Sequence, residues 1–281
     1  AGSRIKAVTG AYLLASAQQV KDIVIRSGLQ PGQGLYFDQD SRPLISSERF
    51  VAAFELARQA RQLRLDARVV TWSNEWAEGL RRGTLATELS GAWMVGQLAN
   101  WVAPGTKGLW RAAHLPDNTF VGYGGSYYAL PRRAAAENKA LAWELVQLLT
   151  LDPAMQFAAF KSQDAFPSLL ATHDDPFFNE PLPFLGGQPA RTLWREAARR
   201  INATQVHKQN NFAHEVVGTE LDNVLDRGKE IGHALADAGT ESGDADAEAG
   251  GHNRIAEKGA QAGGSAARSR FSRESQGSPK Q

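Results

Sequence analysis

The stretch GTLATELSGAWM, residues 83–94, decides the fold. Its pattern is typical of a short strand over Leu85 to Leu89, followed by a turn of small residues and a helix from Ala92 to Trp101. Trp93 therefore lies where a strand gives way to a helix, beside small residues that leave backbone groups open to a ligand. Sugars present hydroxyl groups and apolar C–H faces, so their sites combine flat aromatic rings with hydrogen-bonding groups. The stretch predicts that Trp93 contacts a ligand.

Outward from this stretch, predicted helices alternate with short strands. Capping residues and apolar spacing predict helices over 13–27, from Ser46 or Ser47 onward, over 76–82 behind Ser73, over 137–149, from Pro153 behind Asp152, from Pro189 and over 212–227. Strands are predicted at 110–115 and 127–130, and a hairpin at 35–44. Such an alternation favours a layered α/β fold.

Other aromatic residues beside small residues extend the set of candidates. Tyr12 follows Thr9-Gly10-Ala11 at a helix entrance, and the run YGGSY at 123–127 precedes a predicted strand. Glu75 and Trp76 are weaker candidates, because Trp72 and Trp76 have the spacing of one buried helix face. The candidate ligand-binding residues are thus Trp93, Tyr12, Gly124, Gly125, Ser126, Glu75 and Trp76. The remaining tryptophans, Trp101, Trp110, Trp143 and Trp194, are predicted to serve packing.

Composition excludes several classes of function. The chain has 31 basic and 30 acidic side chains among its 281 residues, so its net charge of +1 predicts no nucleic-acid or anionic-membrane partner. It has no cysteine, and its six histidines form no close ligand pair, so neither a metal site nor a cofactor is expected. No motif has the spacing of a catalytic constellation, and no apolar run reaches the roughly 18 residues that a membrane span needs.

The composition changes after Ala238. From 239 to 281 the large apolar residues are Ile255 and Phe271, in a background of Gly, Ala, Ser and mixed charge. Such a segment buries too little surface to offset its ordering entropy, so a disordered tail is predicted over 239–281.

Several of these runs resemble the family 1 extracellular solute-binding proteins, the group that includes maltose-binding protein. The similarity covers residues from about Gly10 to Ala238, and the runs that carry it are 83–94, WRAAHLP at 110–116, GGSYYALP at 124–131, NKALAWEL at 138–145 and AFPS at 165–168. By position, the resemblance gives Trp93 a sugar-stacking role, Tyr12 the place of a ligand-facing aromatic, and 124–126 a place in the cleft wall.

The resemblance implies an α/β, two-lobe periplasmic-binding-protein fold (type II), of which mostly the C-terminal lobe is present. Residues 4–118 and 174–238 would form that lobe, and 119–173 would cross back to an incomplete N-terminal lobe. The complete protein would be an exported, periplasmic monomer that delivers a mono- or oligosaccharide to an ABC permease. Its signal peptide is not expected in a chain that starts at Ala1.

Two other functions remain open on the sequence. A glycoside hydrolase would need two carboxylates across a cleft, and Glu75 and Glu88 are the acidic residues beside the aromatic runs. They are poorly placed for that chemistry, because one belongs to a predicted helix start and the other to a predicted strand. A solute-binding domain that serves as a sensor input is the other alternative.

Overall fold

The computed structural model describes residues 2–245 of the chain. The helices are α1 (Gly2–Thr9), α2 (Ala17–Arg26), α3 (Glu48–Gln62), α4 (Asn74–Arg82), α5 (Met94–Gln97), α6 (Ala136–Leu151), α7 (Pro153–Gln163), α8 (Arg191–Arg200), α9 (Asn210–Arg227) and α10, described over 231–245. A π-helical turn, Leu98–Val102, continues α5, and 3-10 turns occur at Pro104–Thr106, Pro116–Asn118, Leu170–Thr172, Pro176–Asn179 and Pro183–Leu185.

Helix ends follow the capping residues of the sequence. The Ser73 hydroxyl accepts the backbone N–H of Trp76 at 3.2 Å at the start of α4, and Gly83 ends that helix in the left-handed conformation. Asp152 caps α7 by accepting the Met155 N–H at 2.8 Å. The predicted positions of α4, α6 and α7 are confirmed.

The predicted strands do not form as regular strands in residues 2–245; five isolated bridges are found instead. Tyr12 pairs in parallel with Leu85, and Leu14 pairs in parallel with Asp66. The segment that contains Tyr12 and Leu14 pairs with both of the others. It is short because Gly10, at φ 74°, precedes it and α2 begins at Ala17. Three extended segments thus lie side by side without a continuous ladder, so the strand component of the predicted α/β class is not seen in residues 2–245.

The predicted hairpin at 35–44 forms as a short antiparallel pair. Phe37 and Pro43 are bridged, the Asp38 N–H donates to the Arg42 carbonyl at 3.0 Å, and the Leu44 N–H donates to the Tyr36 carbonyl at 2.8 Å. In its turn the Asp38 Oδ1 accepts the N–H groups of Asp40 and Arg42, both at 2.9 Å. In 110–115 the Gln188 side-chain amide takes the place of a neighbouring strand. It accepts the Ala112 N–H at 2.8 Å and donates to the Ala112 carbonyl at 2.7 Å.

The described residues divide into two compact units, 2–33 with 52–204, and 34–51 with 205–245. The first unit holds an apolar core that consists of Ala15, Trp76, Leu80, Leu85, Met94, Val95, Leu98, Val102, Ala103, Leu182, Phe184, Leu185 and Ala190. In the second unit the Tyr36 and Phe50 ring centroids lie 5.7 Å apart, and Val217 and Leu221 of α9 are fully buried. This division differs from the predicted lobe boundaries, 4–118 with 174–238 and 119–173, which stay a prediction.

The end of the second unit corrects the predicted start of the tail. Residues 239–245 continue α10, whereas disorder was expected from Gly239. Ser242 is fully buried, and the Gln209 side chain donates to the Ala245 carbonyl at 3.1 Å, so this turn is packed despite its small side chains. The rest of the predicted tail, 246–281, lies outside the described residues.

Candidate functional site

Three tryptophans of the first unit meet in one place, and we call them the tryptophan cluster: Trp72, Trp76 and Trp93. The ring centroids of Trp72 and Trp76 lie 4.9 Å apart. Those of Trp72 and Trp93 lie 5.8 Å apart, with an interplanar angle of 16°. Trp76 is 1% exposed, whereas Trp72 is 56% exposed, so the cluster runs from the core to the surface.

Glycines surround the indole nitrogen of Trp93. A Cβ atom built on Gly91 would lie 2.6 Å from the Trp93 Nε1, and one built on Gly124 would lie 3.5 Å from the same atom. Gly124 also has φ +81°, a conformation that favours glycine. The structure therefore places two predicted site residues, Trp93 and Gly124, close to one another although they are distant in the sequence.

The other residues of the glycine-rich run lie further out. Gly125 and Ser126 are exposed, and a Cβ atom on Gly125 would lie 3.8 Å from the ring of Tyr127. Tyr127 is itself exposed. Gly125 and Ser126 therefore form part of an open surface beside Trp93, and not a second wall of a ligand-binding cleft.

Glu88 joins the core side of the cluster to α2. Its Oε2 accepts the Trp76 Nε1–H at 3.0 Å, and its Oε1 accepts an N–H of the Gln19 amide at 3.0 Å. Burial raises the pKa of Glu88, while the two hydrogen bonds act in the opposite direction. Both carboxylate oxygens thus already accept hydrogen bonds from protein groups, and the geometry is that of a structural acceptor rather than a general acid or base.

Tyr123 lies beside this network. Burial raises the pKa of its hydroxyl, with Asp22 and Glu88 adding to the rise and Arg26 opposing it. The Arg26 guanidinium lies 5.7 Å from the centre of the Tyr123 ring. Charged groups of α2 therefore approach the glycine-rich run directly before Gly124.

Tyr12, Glu75 and Trp76 are placed differently from one another. The Lys6 ammonium lies 3.7 Å from the centre of the half-buried Tyr12 ring, so a cation already occupies one face of that ring. Glu75 is exposed in the first turn of α4. Trp76 lies in the core with its N–H engaged by Glu88, so its position is not that of a residue on an open ligand surface.

Sequence reasoning missed two residues of this region. Trp72 was assigned to a helix face with Trp76, but α4 begins at Asn74 and Trp72 lies in the preceding turn. Glu88 was considered only as a possible catalytic carboxylate. The signal that could have found it is its position in an extended segment, opposite a tryptophan whose N–H needs a partner when buried.

The effect of Glu88 on stability is predicted to depend on pH. Its pKa in the folded protein is higher than its ordinary value of 4.5, so its contribution to stability is fully present below about pH 4.5 and is lost as the pH rises through the folded pKa. We expect the native protein to lose stability relative to Glu88→Gln as the pH rises from about 4.5 toward neutrality. The glutamine oxygen still accepts from Trp76, and Gln19 can turn its amide to match.

Thermal unfolding of both proteins across this pH range measures the difference. Parallel curves for the native protein and Glu88→Gln would contradict a raised pKa for Glu88. Glu78→Gln is the matched control. Glu78 is an exposed partner of Arg81 and Arg82, and the pKa of Glu78 is lowered. Its curve is expected to diverge from the native curve in the opposite direction.

Neither a metal site nor a membrane span is found in the described part of the chain. No group of three or more His, Cys, Asp or Glu side chains there could hold a metal ion. No helix among those residues is both long and apolar enough to cross a membrane.

Comparison with known proteins identifies the fold. No family model matches the chain. A lactose-binding protein of Rhizobium radiobacter is 26% identical over 243 residues, which cover 80% of this chain and 56% of that protein. A solved extracellular solute-binding protein of family 1 superimposes with a TM-score of 0.70 at 23% identity, over 86% of this chain and 61% of the other. The resemblance to family 1 extracellular solute-binding proteins is confirmed.

Two further structures with the solute-binding fold are known in complex with sugars. One is an ABC-transporter-associated binding protein from B. animalis subsp. lactis with β-1,6-galactobiose, with a TM-score of 0.64 at 18% identity over 86% of this chain and 65% of the other. The other is a binding protein from Bifidobacterium longum with lacto-N-biose, with a TM-score of 0.65 at 17% identity over 86% of this chain and 60% of the other. These matches show the periplasmic-binding-protein fold.

The solute-binding fold is represented here in part. The chain spans 56% of the lactose-binding protein and 61% of the family 1 structure. The matched proteins are described as binding proteins rather than enzymes, in agreement with the prediction that this chain is not an enzyme.

Proposed function

We propose that the chain is the carbohydrate-binding subunit of a bacterial ABC-type importer. The observation that carries the proposal is Trp93, a half-buried ring whose indole nitrogen lies close to Gly91 and Gly124. A flat ring fixed beside backbone groups of glycine is suited to stack on the C–H face of a sugar and to leave donors and acceptors for its hydroxyls. The names of the similar proteins, which bind lactose, galactobiose and lacto-N-biose, support the same class of ligand.

The proposed roles of the site residues follow from their positions. Trp93 stacks on the sugar, and Gly124, Gly125 and Ser126 line the adjacent surface. Tyr12 and Glu75 contribute at the periphery, where a ligand can displace Lys6 from the Tyr12 ring. Trp76 supports the cluster from behind rather than meeting the sugar directly, because its N–H is already bonded to Glu88.

The proposal extends to the whole protein. In it, two lobes close on the sugar by hinge bending, and the loaded, closed form delivers the sugar to membrane permease subunits. Residues 4–118 and 174–238 belong to the C-terminal lobe, and 119–173 cross to the N-terminal lobe. The protein is a periplasmic monomer. An ABC-transporter-associated binding protein among the matched structures supports the proposed role in transport.

Titration of the 281-residue chain with a panel of sugars tests the proposal directly. With one wall of the cleft present, stacking remains but closure and the opposing hydroxyl contacts are lost. We therefore expect binding no tighter than about millimolar, or about −4 kcal/mol, for any member of a panel that includes galactose, lactose and β-1,6-galactobiose. Micromolar binding by a monodisperse monomer would contradict the lobe assignment, and no binding of any sugar would contradict the proposed function.

Trp93→Ala is expected to weaken sugar binding by more than about 1.5 kcal/mol, since the stacking contact and its buried area are lost together. The measurement is calorimetry on the chain extended to the full length of its relatives, where affinity is high enough to quantify. Trp101→Ala is the matched control, because Trp101 is 76% exposed and is not one of the residues of the cluster. Equal affinity of Trp93→Ala and the native protein would reduce Trp93 to a packing residue.

A further inference from the structure

Trp72 covers part of one face of the Trp93 ring. The two ring centroids lie 5.8 Å apart with an interplanar angle of 16°, so the rings are stacked on each other with an offset. Trp93 also packs against the apolar core of the first unit, and its indole nitrogen lies close to Gly91 and Gly124. A sugar that stacks on the covered face of Trp93 therefore has to take the place of Trp72.

The backbone of Trp72 opposes this contact. Its φ is +70°, in the left-handed region that bulky residues rarely adopt. The Ser73 N–H donates to the Val70 carbonyl at 3.2 Å, so Trp72 occupies the third position of a tight turn, where a positive φ favours glycine or asparagine. Because this strain offsets part of the stacking energy, the ring pair is weaker than one carried by an unstrained backbone.

Little apolar burial holds Trp72 in place. It is 56% exposed, and Val70 at the start of the same turn is 75% exposed. The Trp76 ring, at a centroid distance of 4.9 Å from Trp72, is instead fixed in the core, where Glu88 accepts its N–H. The turn can therefore carry Trp72 away from Trp93 without opening the core, whereas a movement of Trp76 would open it.

We infer that Trp72 is an autoinhibitory cover of the sugar-binding face of Trp93, which moves away from Trp93 when a sugar binds. This inference rests on the proposed function and adds a regulation of the same site. The uncovered form of the turn is the form that binds, so the apparent affinity is the intrinsic affinity multiplied by the fraction of uncovered molecules. Removal of the Trp72 ring then strengthens binding, whereas removal of a ring that itself holds the sugar weakens it.

The first test measures lactose binding to the native 281-residue chain and to Trp72→Gly by NMR titration. Glycine removes the ring and accepts the positive φ, so the turn keeps its shape. We expect Trp72→Gly to bind lactose about twofold to tenfold more tightly than the native chain, since that range corresponds to the loss of one stacked aromatic pair. Trp101→Ala, which removes a ring that is 76% exposed and lies outside the tryptophan cluster, is the matched control and should leave binding unchanged.

The double variant Trp72→Gly with Trp93→Ala shows whether the gain acts through Trp93. We expect it to bind lactose as weakly as Trp93→Ala alone, because a cover has no effect once the face beneath it is gone. Circular dichroism follows the cover itself, since stacked indole rings couple their electronic transitions and give a pair of bands of opposite sign in the far ultraviolet. Saturating lactose is expected to remove the part of this signal that Trp93→Ala removes.

Unchanged or weaker lactose binding by Trp72→Gly would overturn the inference and leave the proposed function intact. The same conclusion would follow from an equal gain in the Trp93→Ala background, or from paired bands that persist when lactose is bound. Failure of the native chain to bind any sugar of the panel would overturn the proposed function and the inference together.

Discussion

Replacement of Trp76 by alanine is expected to lower the free energy of unfolding by about 3–5 kcal/mol, the range for deletion of a large buried aromatic side chain. Trp76 is 1% exposed and contacts Trp72 at a centroid distance of 4.9 Å. The loss also removes the donor to the Glu88 Oε2, which leaves a partly buried carboxylate with one hydrogen bond fewer. Urea unfolding followed by circular dichroism measures the difference.

Two further variants serve as comparisons for Trp76→Ala. Trp76→Phe keeps an aromatic ring but removes the N–H, so it should fall between the native protein and Trp76→Ala and isolate the role of Glu88. Trp101→Ala should change stability by no more than about 0.5 kcal/mol, because that ring is 76% exposed. A Trp76→Ala protein as stable as the native one, but with weakened sugar binding, would return Trp76 to the ligand surface that the sequence suggested.

The helices could be predicted from the sequence because their ends depend on local chemistry. Ser73 before α4, Gly83 after it and Asp152 before α7 each form the hydrogen bond or the backbone conformation that their residue type favours. These interactions involve neighbours within a few residues, so tertiary context changes them little. The position of α6 could likewise be predicted, from a continuous run of good helix formers.

The absence of regular strands from residues 2–245 could not be predicted, because a strand depends on a partner that is distant in the sequence. Residues 110–115 have a strand-like composition, yet their backbone partner is the side chain of Gln188, which no local pattern reveals. The hairpin at 35–44 could be predicted, because its turn depends on local hydrogen bonds: the Ser41 N–H donates to the Asp38 carbonyl at 3.1 Å, and the Asp38 carboxylate accepts the N–H groups of Asp40 and Arg42. The partner of 110–115 is instead decided by tertiary structure, which brings a side-chain acceptor to the backbone.

The candidate site could be predicted where it depends on residue type and not where it depends on backbone geometry. The sequence pointed to Trp93 and to the glycine-rich run, and the structure brings Trp93 together with Gly124. Trp72 was missed because a spacing of four from Trp76 indicates a shared helix face. The positive φ of Trp72 breaks that relation, since it places the residue in a turn before the helix.

In helix α6, several large apolar side chains are exposed in the described residues. None of its residues is buried; Leu141, Leu145 and Leu148 are exposed, and Leu149 is half-buried. Trp143 and Leu151 are also exposed, so the helix presents apolar surface on several sides. Exposed apolar area of this extent favours self-association in water.

We therefore expect the 281-residue chain to form oligomers or aggregates, and the double variant Leu141→Glu with Leu145→Lys to be monodisperse. The two new side chains lie four residues apart on α6, with glutamate nearer the helix start, an arrangement that adds a favourable ion pair of about 0.3–0.5 kcal/mol. Leu141 is 66% exposed, so its replacement reduces the apolar surface in contact with water without opening the core. Light scattering during size-exclusion chromatography gives the mass of each species. Leu63→Glu with Leu109→Lys, at exposed positions outside α6, is the matched control and should associate like the native chain. A monodisperse native chain, or equal rescue by the control, would show that the α6 surface does not drive association.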